Sequence, residues 1–165
     1  MDYGHPWDGL VTQFKFHGAL DLTPALAACI ASAVLERGEN LPDLLLPVPL
    51  SPQRLRERGY NQAWELTQRV AASLRCRCDA RLLLRIRHDP HQLALSPEQR
   101  EANVHGTFAV EPLRSAELRG RRIALIDDVM TTGATLAEAS RVLLQAGASE
   151  VHGWVLARTP RREDR

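Results

Sequence analysis

Two patterns of apolar positions alternate along the chain. Residues 21–36, 60–74 and 136–146 carry apolar side chains at helical spacing, which predicts three amphipathic helices. Four shorter apolar runs have the composition of strands that are buried on both faces: residues 44–50, 81–86, 122–126 and 151–156. Strands that alternate with helices predict an α/β fold with a mainly parallel sheet flanked by helices.

Prolines, acidic residues and a capping pattern indicate where several of these elements begin or end. Pro47 is expected to end the first strand, because the prolines that follow the apolar run disfavour its continuation. The third strand is expected to stop at Asp127 and Asp128. Thr135 and Glu138 have the spacing of a capping box, which predicts that the last helix starts beside that threonine.

The length of the chain, 165 residues, fits a single domain. Within it, residues 1–40 form a predominantly helical N-terminal segment and residues 41–160 an α/β core. The polar stretch 88–106 is predicted to be a mobile loop, and residues 161–165 a solvated tail.

Composition and charge exclude several classes of function. With 44% hydrophobic and 25% charged residues, the chain has enough apolar material for a core. No apolar window is long enough for a membrane span, and the first residues lack the layout of a signal peptide, so we expect no membrane insertion and a cytoplasmic location. A net charge of +1 argues against a protein that simply coats nucleic acid. Cys29, Cys76 and Cys78 are interpreted as free thiols, and no zinc site is expected.

Candidate chemistry concentrates in the turn between the third strand and the last helix. It supplies the carboxylates of Asp127 and Asp128, the hydroxyls of Thr131, Thr132 and Thr135, and a helix N-terminus. In open α/β sheets ligands bind outside the carboxyl ends of the strands. Backbone N–H groups and hydroxyls at a helix start favour a phosphate, and the carboxylates can accept hydrogen bonds from vicinal ribose hydroxyls. The pattern predicts a phosphosugar site.

This run of four apolar residues, two acids and a Thr-Thr-Gly-x-Thr loop is similar to the phosphoribosyl pyrophosphate (PRPP) motif of type I phosphoribosyltransferases. The resemblance implies that fold, with a small N-terminal helical hood around Trp7, Phe14, Lys15 and Phe16 that recognises the acceptor. It also implies a PRPP-binding set: Asp127, Asp128, Val129, Met130, Thr131, Thr132, Gly133, Ala134 and Thr135.

Other segments resemble the ComF/GntX group of competence-associated proteins. They are the stretches Lys15-Phe16-x-Gly18, Pro47-Val48-Pro49-Leu50-Ser51, Arg54 to Ala63, Gln92-x-x-Leu95, Arg100-x-x-Asn103-Val104 and Gly106-x-Phe108. The resemblance implies a pyrophosphate-binding loop that contains Pro49, Leu50, Arg54, Arg58 and Asn61. Arginine suits this task because its planar guanidinium binds polyanionic oxygens. A solvated helix entry, with Glu57 as ion-pair partner, remains the alternative for the two arginines.

The resemblance implies a reaction and partners. PRPP, with Mg2+ bound mainly through it, would donate ribosyl 5-phosphate to a nucleobase-like acceptor and release pyrophosphate. Asp127, Asp128 and Arg100 would be the catalytic residues, with Arg100 and Asn103 in a loop that closes over the substrate. A surface helix after Ser96-Pro97-Glu98 is the alternative for Arg100 and Asn103. Many members carry an N-terminal cysteine-rich zinc module, and this chain begins after the position where it would lie. The competence resemblance implies an alternative: a non-catalytic PRPP sensor or a protein that handles single-stranded DNA with the competence helicase machinery, through arginines 54–58 and 81–87.

Overall fold

A computed structural model describes residues 7–16, 19–38, 40–87 and 104–159. Helices α1 and α2 precede the first strand. The helices and strands follow in this order: α1 (Trp7–Phe16), α2 (Thr23–Arg37), β1 (Leu44–Pro47), α3 (Pro52–Arg58), α4 (Gln62–Leu74), β2 (Arg77–Cys78), β3 (Leu83–Arg85), β4 (Phe108–Val110), β5 (Arg122–Met130), α5 (Ala134–Gln145) and β6 (Glu150–Arg158). Short 3-10 segments at Leu20–Leu22 and Pro112–Leu118 precede α2 and β5.

The central sheet is parallel, as the sequence predicts. Its strand order is β2-β1-β5-β6, and every neighbouring pair runs in the same direction. β5 is the longest interior strand, and its residues from Ile123 to Ile126 are completely buried. The sheet therefore presents the carboxyl end of β5 at its edge, between the ends of β1 and β6.

Helices cover both faces of this sheet. One face packs against α2 and α4 through buried residues such as Leu26, Ile30, Leu66 and Val70. The other face packs against α5 and the β3–β4 hairpin. Phe14 of α1 is fully buried in the first of these two clusters. None of the helices in the described ranges has the length and apolar character needed to cross a lipid bilayer.

Two strand predictions are wrong in detail. β5 does not stop at Asp127 but continues to Met130, because β6 is long enough to pair with it as far as Arg158. The run at residues 81–86 does not join the parallel sheet. Only Leu83–Arg85 is a strand, and it pairs antiparallel with Phe108–Val110, the segment that returns after the polar stretch.

Two helix predictions also need correction. The segment between Pro49 and Asn61, predicted as a loop, contains the short helix α3, which Ser51 caps by accepting the Arg54 N–H. The predicted capping box does not form: α5 has Gly133 at its N-cap without a side-chain cap. Glu138 is engaged elsewhere, as described below.

Candidate functional site

β5 carries two adjacent carboxylates to the carboxyl end of the parallel sheet. Side chains alternate between the faces of a strand, so Asp127 lies on the face of Leu125 and Asp128 on the face of Ile126. Asp128 is buried, and its Oδ1 accepts the Val129 N–H at 2.6 Å. Asp127 is half-buried, and its Oδ1 accepts the Asp128 N–H at 2.9 Å. The two acids thus differ: Asp127 is the more accessible, whereas Asp128 also organises the strand end.

The turn from β5 into α5 presents hydrogen-bonding groups around a small concavity. Gly133 has φ +85°, a left-handed conformation that favours glycine, and the Thr132 hydroxyl accepts the Ala134 N–H at 3.3 Å. The following N–H groups of the first helical turn have no partner within the helix. A cavity of about 30 Å³ is lined by Asp127, Val129, Met130, Thr131, Thr132, Gly133, Ala134, Thr135 and Leu136. This recess combines N–H groups, hydroxyls and a helix start, which suits an anion.

Asn61 joins the two ends of the segment between β1 and α4. The Asn61 side-chain amide donates to the Val48 carbonyl at 3.2 Å, and its Oδ1 accepts the Ala63 N–H at 3.0 Å as the N-cap of α4. Val48 is held against the neighbouring strand, because its N–H donates to the Ile126 carbonyl at 2.9 Å. Asn61 therefore holds the ends of this segment together beside β5. Pro49 and Leu50 lie half-buried between these anchors.

Arg54 and Arg58 lie one helical turn apart on α3. Residues at i and i+4 share a face of a helix, so the two guanidiniums are on one side. Both residues are half-buried. Glu57, the alternative partner for these arginines, accepts a hydrogen bond from Gln53 at 2.9 Å. The structure thus places two basic side chains on one face of the segment that follows β1.

Sequence analysis did not single out Arg85 of β3, whose charge interacts with those of Arg54 and Asp127. It was grouped with arginines 81–87 as a basic surface, but Arg85 is half-buried, and Arg81 and Arg87 are exposed. Burial lowers the pKa of Arg85, repulsion from Arg54 lowers it further, and attraction to Asp127 opposes that change. Arg85 therefore interacts with both sides of the candidate site. The available sequence signal was its position as a charged residue inside a predicted apolar strand.

Glu138 connects α5 to the segment that precedes β4. This buried carboxylate accepts the Gly106 N–H at 2.7 Å and two N–H groups of Arg141 at 2.7 and 2.8 Å. The Arg141 hydrogen bonds lower the pKa of Glu138 to about 2, burial opposes this shift, and the Gly106 N–H supports it. Because the Glu138 carboxylate binds Gly106 and Arg141, it does not accept a hydrogen bond at the start of its own helix, and the capping box is absent.

A larger cavity lies beside the candidate phosphate site. Its volume is about 620 Å³, within the size range of small-molecule pockets. Apolar residues of α2 and β6, including Ile30, Val34 and Trp154, line it together with Arg37. Met130 lines both cavities, so the two are adjacent.

Some predicted site residues are not placed in the candidate site. Phe14 packs in the core instead of lining an acceptor site. Arg100, Gln92, Leu95 and Asn103 lie outside the described residues, so their roles stay predictions. In the described part of the chain, no group of three or more histidine, cysteine, aspartate or glutamate residues is arranged to hold a metal ion.

Comparison with known sequences finds one matching domain family and several similar bacterial proteins. The profile of the phosphoribosyl transferase domain matches residues 63–165. The chain is 36% identical over 162 residues to the DNA utilization protein YhgH of Escherichia coli O6:H1, covering 96% of this chain and 70% of that protein. It is 35% identical over 160 residues to competence protein F of Haemophilus influenzae, covering 94% and 69% respectively. Competence protein ComFC of Bacillus subtilis is 29% identical over 150 residues, covering 90% and 58%.

Comparison with solved structures supports the fold. Glutamine PRPP amidotransferase from B. subtilis, solved with ADP and GMP, superimposes with a TM-score of 0.55 at 18% sequence identity. The match covers 83% of this chain and 26% of that one. At this identity the likeness concerns the fold alone. It confirms the predicted parallel sheet flanked by helices.

Proposed function

The chain belongs to the phosphoribosyl transferase domain family, and from this premise we propose that it binds PRPP with Mg2+ and transfers ribosyl 5-phosphate to a nucleobase-like acceptor. The observation that carries the proposal is the turn after β5, where an accessible carboxylate adjoins a recess formed by backbone N–H groups and hydroxyls. We further propose that the chain acts as one domain in the cytoplasm.

The two ends of PRPP would meet different parts of the site. The recess of residues 129–135 suits the 5-phosphate, because the helix start favours a negative charge. Asp127 and Asp128 would accept hydrogen bonds from the ribose hydroxyls through their carboxylate oxygens. Arg54 and Arg58 would hold the pyrophosphate, over a segment that Asn61 closes.

The reaction would exchange one bond at the ribose C1 for another. The bond from C1 to the pyrophosphate oxygen breaks, and its electron pair leaves with pyrophosphate. A lone pair of an acceptor nitrogen forms the new bond to C1, and the proton on that nitrogen is released to solvent. Positive charge accumulates on the sugar while C1 is fully bonded neither to pyrophosphate nor to the acceptor nitrogen. The main task of this chain would therefore be electrostatic positioning. Asp127, if it binds the ribose hydroxyls as proposed, would also stabilise that positive charge.

The donor groups in the site fit Mg2+ that arrives with PRPP. The carboxylates and hydroxyls of the turn are oxygen ligands of the type this ion prefers, and substrate phosphates and water supply most of its coordination in such sites. When bound, Mg2+ would neutralise part of the pyrophosphate charge. Arg54 and Arg58 would then supply directional hydrogen bonds to the remaining oxygens.

The cavity between α2 and β6 is the proposed acceptor site. It is large enough for a heterocycle and shares Met130 with the phosphate recess. Its apolar walls suit the faces of a flat ring. Arg37 at the cavity would favour an acceptor with a carbonyl or anionic substituent.

A role in handling single-stranded DNA is the second candidate. It is favoured by the names of the relatives, a DNA utilization protein and a competence protein. The exposed Arg81 and Arg87 of the β3 region would contact the phosphate backbone. If the chain instead senses PRPP without turnover, it would bind PRPP in the pocket proposed above.

Titration of Mg·PRPP into the wild type and into Asp127→Asn/Asp128→Asn, followed by calorimetry, tests the proposal. We expect binding by the wild type and a loss of roughly tenfold or more in the variant, because charge-assisted hydrogen bonds to the ribose are removed. Pyrophosphate release in the presence of a panel of nucleobases then identifies the acceptor.

The outcomes separate the candidates. Binding without pyrophosphate release for any acceptor would favour the sensor. Absence of PRPP binding by the folded wild type contradicts the proposed function, and single-stranded DNA then becomes the ligand to test. In that case affinity should fall linearly with salt on a log–log plot, with a shallower slope for Arg81→Gln and Arg87→Gln.

A further inference from the structure

The two edge strands of the parallel sheet differ greatly in length. β2, at one edge, contains only Arg77 and Cys78, whereas β6, at the other edge, extends over nine residues. Natural proteins protect sheet edges with short strands, charged side chains or prolines, because unpaired N–H and C=O groups attract another strand. β2 is protected by its short length. β6 is long, and its central residues 151–157 include no proline and no Asp, Glu, Lys or Arg.

The outer edge of β6 presents backbone hydrogen-bonding groups. The carbonyls of Arg122 and Ile126 accept N–H groups on the β1 side of β5, so Leu125, which lies between them, faces β6. Of two residues in register in a parallel pair, only one faces the other strand, so Gly153, the partner of Leu125, directs its N–H and C=O away from β5. Gly153 is exposed, and this exposed surface is backbone because glycine has no side chain. Within the described part of the chain, β5 is the only strand that pairs with β6.

An apolar cavity runs along the same edge. The cavity of about 620 Å³ between α2 and β6 is lined by the four consecutive residues Gly153, Trp154, Val155 and Leu156. Consecutive residues of a strand point to opposite faces, so a cavity that touches all four borders the edge of the strand and not one face alone. A second strand at this edge would therefore cover apolar surface as well as pair with backbone groups.

The charges at the two ends of β6 are complementary to those of the same strand running in the opposite direction. β6 begins with Glu150, ends with Arg158 and has Trp154 at its midpoint. Trp154 packs against the core cluster of α2, Arg158 lines the cavity beside α2, and Glu150 forms an ion pair with His152 at 3.0 Å. Residues at alternate positions share one face of a strand. Both terminal charges therefore lie on the face of β6 that is directed towards α2.

We propose that the outer edge of β6 is a self-association surface, at which β6 of a second copy of this chain pairs antiparallel about a two-fold axis at Trp154. In this register Glu150 of each copy lies opposite Arg158 of the other, and a two-fold contact makes this pair twice. Gly153 lies opposite Val155, whose backbone also faces the edge by alternation. The parallel sheets of the two copies then form one continuous sheet.

Other registers lose the charge pairing. If the axis moves by one residue to Gly153, Glu150 lies opposite Leu156 and Arg158 extends beyond the start of the other strand. The charges thus select the register in which the two strands overlap along their whole length. The inference goes beyond the proposed function and does not depend on PRPP binding. Because Trp154 lines the cavity proposed for the acceptor, the second copy would also add a wall to that cavity.

The experiment measures the oligomeric state of the full chain by sedimentation equilibrium over a range of protein concentrations. It compares the wild type with Glu150→Arg, Arg158→Glu and the double variant Glu150→Arg/Arg158→Glu. Each single reversal should raise the dissociation constant of the dimer by about tenfold or more, because two attractive cross-strand pairs become two repulsive ones. The double variant restores opposite charges across the two-fold axis, so its dissociation constant should return to within about threefold of the wild type.

Arg69→Glu is the matched control, because it reverses an exposed arginine on α4, away from the sheet edge. Its dissociation constant should stay within about twofold of the wild type, as expected for a screened surface charge. A wild type that remains a monomer at concentrations up to about 100 µM overturns the proposed pairing. So does a double variant that dissociates as readily as the single variants. PRPP is absent from these experiments, so this proposal and the proposed function can fail independently.

The backbone contact has a separate readout that needs no variant. The amide hydrogens of Gly153 and Val155 should exchange more slowly as the protein concentration rises, because their N–H groups become hydrogen-bonded in the dimer. Exchange at both positions that is independent of concentration, while the chain forms dimers, would show that the copies meet at another surface and would overturn the proposal. This comparison decides the matter if a charge variant cannot be obtained folded.

Discussion

The two halves of the candidate site are built in different ways. The phosphate half, the turn from β5 into α5, is one uninterrupted stretch whose backbone supplies much of the chemistry. The arginine half brings together Arg54 of α3 and Arg85 of β3, which are far apart along the chain and reach the site by separate routes. A contiguous turn keeps its geometry through local conformation, whereas the arginine half depends on packing between elements. The first half is visible in the sequence as one motif, whereas in the second half only the segment that contains Arg54 is.

The largest effect that separates the halves should come from Arg54→Gln. We expect this change to weaken Mg·PRPP binding by about 2 to 3 kcal/mol, because a charge-assisted hydrogen bond to pyrophosphate is lost. Ribose 5-phosphate, which lacks pyrophosphate, should bind as before. Calorimetric titration with both ligands measures the difference. Arg56→Gln, an exposed position on the same helix, is the control. Equal losses for both ligands would show that the two halves are not separable.

Glu138→Gln should reveal how much the Glu138 carboxylate of α5, the helix that follows the phosphate half, contributes to stability. The pKa of Glu138 is about 2 in the folded chain and 4.5 ordinarily. Because the folded value is the lower one, its contribution to stability is complete above pH 4.5 and disappears as the pH falls towards 2. We expect Glu138→Gln to lower the free energy of unfolding by roughly 1 to 3 kcal/mol at neutral pH.

Urea unfolding of wild type and Glu138→Gln between neutral and acidic pH measures this contribution. The difference between the two proteins should shrink as the pH falls below 4.5. His105, whose Nδ1 lies 3.5 Å from the Glu138 carboxylate, is largely exposed, so His105→Ala should change stability by no more than about 0.5 kcal/mol. A difference that is independent of pH would contradict an electrostatic origin.

Gly133→Ala should impair the phosphate half alone. An alanine at φ +85° is strained by about 1 to 2 kcal/mol, and its Cβ would lie 3.6 Å from the Met130 sulfur. Ribose 5-phosphate should bind more weakly and inorganic pyrophosphate should bind as before. Gly120→Ala provides a matched control, because Gly120 also has positive φ, +68°, but precedes β5, at the opposite end of that strand from the turn. If Gly120→Ala reduced ligand binding equally, the loss would reflect general destabilisation.

Asn61→Ala should have the smallest effect and should weaken the arginine half. It removes the cap of α4 and the hydrogen bond to Val48, which together should contribute about 1 kcal/mol to stability. Urea unfolding measures that loss, and titration with pyrophosphate shows whether the segment after β1 has loosened. Ser51→Ala, which removes only the cap of α3, serves as comparison. Unchanged pyrophosphate affinity in Asn61→Ala would mean that the segment holds its shape without this clamp.

Sequence patterns predicted the features that depend on neighbouring residues. The apolar run at residues 122–126 indicated a buried central strand because a strand covered on both faces needs apolar residues at every position. The acids, threonines and Gly133 that follow this run predicted the turn into α5, because the conformation and the hydrogen bonds of that turn are local. The parallel arrangement also followed from the sequence, since strands alternating with helices leave few other solutions.

Tertiary structure decided what depends on distant partners. Asp127 lies within β5 and not after it because β6 offers paired backbone as far as Arg158. Glu138 binds Gly106 and Arg141 instead of capping its helix, because a segment remote in the chain returns beside it. Arg85 lies half-buried opposite Phe108 because β3 pairs with β4, a long-range contact that no local sequence pattern predicts. Local spacing determines a backbone turn, but only packing determines which charges from separate elements share one site.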